Sequence, residues 1–141
     1  MSEFYRYFKE NMDGLGLPAP ESLFGSLSTA VGTASTLLTQ IDKFGKTVTV
    51  GELITAGTRL EKLAVVGACS AAFYVGAVIG SIAVATGRTL SGGTSLADVL
   101  TFASSNRLQR DWLSACLFSC PGIYDPSING SGYHRTYRQA A

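Results

Sequence analysis

Two long stretches of this chain carry no Asp, Glu, Lys or Arg, and the pattern inside each predicts a helix. The longer runs from Leu63 to Gly87, opened by Lys62 and closed by Arg88. About 20 apolar helical residues span the hydrocarbon of a bilayer, so this run has membrane length with tilt to spare. Ala68, Ala72, Gly76 and Gly80 recur every four residues within it, and Ala83 and Gly87 follow at helical spacing. They lay a strip of small side chains along one face, a device that lets membrane helices approach closely. A fully apolar helix also suits the centre of a bundle wrapped by amphipathic neighbours, and the run by itself fits either setting.

The second neutral stretch covers Ser22 to Ile41, between Glu21 and Asp42. Leu27, Ala30, Val31, Ala34, Leu37, Leu38 and Ile41 follow the 3.6-residue period of one helical face. The positions opposite are Ser, Thr and Gln, without a charge. Ordinary exposed helix faces are dominated by Glu, Lys and Arg, because Ser and Thr are only moderate helix formers. A hydroxyl-lined neutral face suits the wall of a water-filled pore, with Thr29, Thr33, Thr36 and Gln40 as the candidate lining. It equally suits a helix packed in a bundle with small hydroxyl residues at the contacts.

The remaining pattern is helical too. Residues 3–12 predict a short aromatic-rich helix, closed by the breakers Gly14, Gly16, Pro18 and Pro20. Residues 43–49 read as a polar linker, extended at Thr47 to Thr49. Thr49-Val-Gly-Glu52 then fits a capping box. The helix from Val50 is expected to carry Leu53, Ile54, Leu60 and Leu63 and to run straight into the apolar run, with a bend at Gly57. Ser95-Leu-Ala-Asp98 fits a second capping box, opening a helical region from Leu96 to Phe118. Its apolar stripe loses phase around Asn106 to Asp111, which means two shorter helices or one kinked helix. Pro121-Gly122 ends it, and a flexible Gly-, Ser- and Tyr-rich tail covers about 121–141. The expectation is an all-α chain: a single helical domain over 1–141, a small bundle or hairpin with one or two membrane-length neutral helices.

Composition narrows the chemistry. Charged residues make up 15% of the 141, against a usual value near 25%, and the net charge is +1. That balance gives no electrostatic case for a nucleic-acid partner. One histidine, His134, excludes a histidine-rich metal site, and Cys69, Cys116 and Cys120 lack a C-x-x-C spacing. They read as small packing residues in a reducing compartment, with no disulfide. No phosphate loop, dinucleotide fingerprint, nucleophile elbow or zinc-protease motif occurs. A dyad of Cys116 or Cys120 with His134 is the remaining enzymatic arrangement, and the apolar context of both cysteines argues against a thiolate. No enzyme activity, metal or cofactor is expected. The N-terminus lacks the apolar core of a signal peptide.

On Ala68-xxx-Ala72-xxx-Gly76-xxx-Gly80 and the Ser22–Ile41 stretch, the chain resembles the small pore-forming antibacterial effectors of type VI secretion. The likeness is one of architecture and covers under half of the chain. It implies a toxin made in the cytoplasm without a signal peptide and carried by a secretion-tube protein. Such a toxin would insert into the lipid of a competitor's inner membrane, self-associate there, dissipate ion gradients and be neutralised by a cognate immunity protein. The alternative is a non-toxic helical interaction protein: an immunity protein, an adaptor or a small membrane subunit.

Overall fold

The computed structural model describes residues 3–45, 47–56, 63, 66–90 and 96–119, with the backbone course alone for 87–90 and 96–98. Seven helices lie among them: α1 (Glu3–Gly14), α2 (Glu21–Phe24), α3 (Leu27–Phe44), α4 (Val50–Thr55), α5 (Ala71–Leu90), α6 (Leu96–Ser105) and α7 (Leu113–Ser119).

The amphipathic pattern of α1 turns Tyr5, Phe8, Asn11 and Met12 inward. Phe8 lies 5.7 Å from the Phe4 ring and 4.8 Å from that of Phe24, tying α1 to α2. The helix stops where Gly16 adopts φ +76°, letting the amides of Leu17 and Gly16 reach the Met12 and Asp13 carbonyls. The following link is held by two phenols. Tyr5 donates to the Ala19 carbonyl at 2.6 Å, and Tyr74 to that of Pro18 at 2.8 Å.

The Ser22–Ile41 stretch is two helices where one was expected. Ser26 takes an extended conformation and its hydroxyl accepts the Thr29 amide, so α3 starts anew at Leu27. From there Ala30, Thr33, Ala34, Leu37, Leu38 and Ile41 are buried, while Leu27 remains 39% exposed. The helix runs on through Phe44, into the span expected to be linker.

The Thr49–Glu52 capping box is present. The Thr49 amide donates to Glu52 Oε1 at 2.8 Å, and the Glu52 amide donates to Thr49 Oγ1 at 3.1 Å. The helix it opens does not continue into the apolar run, however. It ends at Thr55, and Gly67–Ser70 of the run pair instead with the backbone around Thr49. Thr49 and Ser70 form an isolated antiparallel bridge, with Val50 N–H donating to Cys69 O and Ala71 N–H to Val48 O, both at 2.9 Å. Gly51 N–H reaches Gly67 O at 2.9 Å, and a Cβ on Gly51 would stand at that same distance from the oxygen, so glycine is needed there. The Ser70 hydroxyl then accepts the Phe73 amide, and helix begins only at Ala71.

The expectation of membrane-length helices is thereby corrected. The architecture is helical, but among the described residues no helix is long and apolar enough to cross a membrane. The bridge holds Gly67–Ser70 of the charge-free run outside α5. α5 is the central helix of a bundle: Tyr74, Val75, Ala77, Val78, Ile79, Ile82 and Ala85 are all 0% exposed. α1, α3, α6 and α7 pack around α5.

The phase loss at 106–111 separates two helices, α6 and α7. Arg107 sits at φ +60°, and the Leu108 and Arg107 amides bond back to the Ala103 and Ser104 carbonyls. That is a Schellman ending with arginine in glycine's usual place, and fully buried Leu108 provides its apolar contact. The Ser95–Asp98 capping box, the Gly57 bend, Leu60, Cys120, the Pro121-Gly122 stop, His134 with its dyad, and the tail lie outside the described side chains.

Candidate functional site

Helical spacing does place Thr29, Thr33, Thr36 and Gln40 on one stripe of α3, but the stripe borders the core and does not face a single medium. Thr29 and Thr36 are exposed, Gln40 is half-buried, and Thr33 is only 9% exposed. Thr33 Oγ1 donates to the Leu23 carbonyl at 2.7 Å, fixing α2 against α3. Thr36 and Thr39 turn their hydroxyls back onto their own helix, donating to Gly32 O and Ser35 O at 3.0 and 2.9 Å. The outermost face of α3 consists of Ser28, Gly32, Ser35 and Thr39, flanked by Thr29 and Thr36, all exposed and uncharged.

A carboxylate distinguishes the two surroundings. Thr33→Asp sets an acceptor against the Leu23 carbonyl in a nearly closed site and is expected to cost about 3 kcal/mol. Thr36→Asp points into solvent and should change stability by no more than about 0.5 kcal/mol. Thermal melts of the two variants check this, and equal losses would mean that both positions are closed.

The small-residue strip is interrupted at its first member. Ala68 lies in the turn before α5 and is exposed; Ala72 is half-buried, Gly76 and Gly80 are buried, and Ala83 is 6% exposed. Gly87 belongs to α5 by its backbone. The close neighbour at Gly76 is α7 of the same chain. A Cβ there would stand 2.8 Å from Cys116 Sγ and 3.9 Å from Cys116 Cβ and Leu113 Cδ1.

Three polar arrangements join residues far apart in sequence, and no local signal announces them. Asn11 Nδ2 donates to Ser81 Oγ at 2.8 Å inside the α1–α5 contact, where Ser81 is 0% exposed. The two tyrosine hydroxyls hold the Pro18–Ala19 carbonyls, and burial raises both phenols above the ordinary tyrosine value of 10.0. Arg110 grips Asp42 with both prongs, Nε to Oδ1 at 3.0 Å and Nη2 to Oδ2 at 2.8 Å. An open cleft of about 310 Å³ adjoins this pair, lined by Ile41, Asp42, Gly45, Arg110, Asp111 and Trp112.

Cys69 and Cys116 are half-buried free cysteines, and burial pushes the Cys69 thiol up. Among the described residues no group of three His, Cys, Asp or Glu side chains could hold a metal. No protein-family model, curated protein or solved structure matches the chain.

Proposed function

We propose that this chain works by binding another protein and not by catalysis, as an adaptor or an immunity protein does. The observation that carries this reading is the outer face of α3. An 18-residue helix presents Ser28, Thr29, Gly32, Ser35, Thr36 and Thr39 to solvent without one charge among them. Covering such a face desolvates no ion, and the Thr36 and Thr39 hydroxyls already have backbone acceptors. Gly32, with open space where its Cβ would be, lets a partner helix approach its backbone. The burial of α5 from Tyr74 through Ala85 supports the same reading, since that part of the helix spends its apolar surface inside the fold.

The second reading is the pore-forming antibacterial toxin, with its carrier, lipid, self-association and immunity partner. What supports it is the absence of charge from Ala71 through Thr86. It requires the bundle to rearrange at the lipid, because no described helix of this fold is long and apolar enough to cross a membrane.

Expression in bacteria carrying a membrane-potential dye, with and without export to the periplasm, separates the two. The binding reading predicts undisturbed potential and growth. It also predicts a larger complex in the producing cell that a folded Gly32→Arg, Ser35→Arg variant fails to form. Rapid depolarisation would overturn it in favour of the toxin, and a lone monomer for parent and variant alike would overturn it outright.

A further inference from the structure

We infer that the link from Gln109 and the helix α7 form a hinged cover over α5, held shut by the Asp42–Arg110 clasp. The proposal stands apart from either functional reading. Four observations converge on it. The cover is shallow: α7 has seven residues and buries only Leu113 and Leu117 among them, while Phe118 stays 76% exposed. Segments with so few buried contacts open at the low end of a protein's stability range. The hinge stores strain, because Arg107 holds φ +60°, a conformation that side-chain-bearing residues adopt at a cost.

The clasp is the polar tie that bridges this segment to α3. Its partners are 68 residues apart, and the bidentate geometry specifies one closed position. Finally, the cover sits closely on α5. Gly76 lets Cys116 approach to a distance that no side chain would permit.

Cys116 belongs to α7, half-buried with its sulfur turned toward Gly76, and its gain in reactivity reports opening. In a protein with Cys69→Ser and Cys120→Ser, its reaction rate with Ellman's reagent measures how often the cover lifts. Asp42→Asn or Arg110→Gln is expected to raise that rate about two- to fivefold, as befits a partly exposed ion pair. High salt should raise the parent to the same rate and leave the variants unmoved. The exchanged pair Asp42→Arg, Arg110→Asp should return it toward the parent.

A second measurement keeps the test independent of the clasp. Gly76→Cys would place Cβ 3.9 Å from Cys116 Cβ, inside the range of disulfide bridges. In the oxidised form, amide exchange in Leu113–Ser119 should slow at least about tenfold while α1 is unchanged, and dithiothreitol should reverse it. Rates indifferent to the clasp variants and salt would overturn the proposal. So would thiol reactivity that rises only in step with global unfolding, or a bridged protein whose α7 exchanges as before.

Discussion

Replacing Gly76 by Leu is expected to lower the thermal midpoint by about 10 °C. Two effects oppose each other. Leucine is a better helix former than glycine by about 0.8 kcal/mol, which favours the variant. Its side chain, however, begins 2.8 Å from Cys116 Sγ and meets Leu113 next, so α7 must be displaced. Overpacking of this kind costs about 3 kcal/mol, and the net loss of about 2 to 3 kcal/mol produces the midpoint shift. Steric origin can be separated from any other by a rescue. In Gly76→Ala, Cys116→Ala the offending sulfur is gone and the two Cβ atoms stand 3.9 Å apart, an ordinary contact. That double variant should melt at or above the parent, because the propensity gain remains and the clash does not. A midpoint as low as that of Gly76→Leu would show that this glycine serves something other than the approach of α7.

Tyr74→Ala should be more damaging still. Tyr74 is the largest of the fully buried side chains, and its hydroxyl is the donor that holds the Pro18 carbonyl. Truncating an aromatic of that size leaves a cavity and typically costs about 3 to 5 kcal/mol, a large share of the about 5 to 15 kcal/mol that a domain has. Tyr74→Phe keeps the ring and loses only the hydrogen bond, so about 1 kcal/mol is expected. The two are compared by urea denaturation.

The phenol adds a pH signature. Burial raises Tyr74 above 10.0, so the folded state favours the protonated ring. Its contribution is fully present below about pH 10 and is lost as pH rises from there toward the raised folded value. Stability should therefore fall in alkali, and Tyr74→Phe should flatten that fall. Tyr5 and Cys69, raised by burial, and Lys9, raised by its hydrogen bond to Asp13, contribute to what remains of the slope.

Much of the helical content was legible along the chain. The inward faces of α1 and α3 followed from apolar spacing, because a helix has one period and a bundle has one interior. The Thr49–Glu52 box was legible because both its hydrogen bonds close within four residues. Ser26 is a cap of the same local kind, one residue before the apolar period begins at Leu27. The site was less legible. Spacing aligned the α3 stripe and fitted a wet face and a packed one alike; which residue meets α2 is settled by the Thr33 hydroxyl donating to the Leu23 carbonyl. Asn11 with Ser81, and Asp42 with Arg110, lie 70 and 68 residues apart, beyond any local pattern.

What the sequence by itself determined is therefore what short-range physics governs: helix formation, most caps and breaks, and the amphipathic faces of α1 and α3. The tertiary structure alone decided the fate of the charge-free run. Backbone pairing around Thr49 and Ser70 holds Gly67–Ser70 outside α5, and α1, α3, α4, α6 and α7 pack against that helix. Apolar side chains gain by leaving water for lipid or for protein alike, so the run's hydrophobicity is the same in both settings. The choice between them rests on whether the rest of the chain supplies a cover, and here it does.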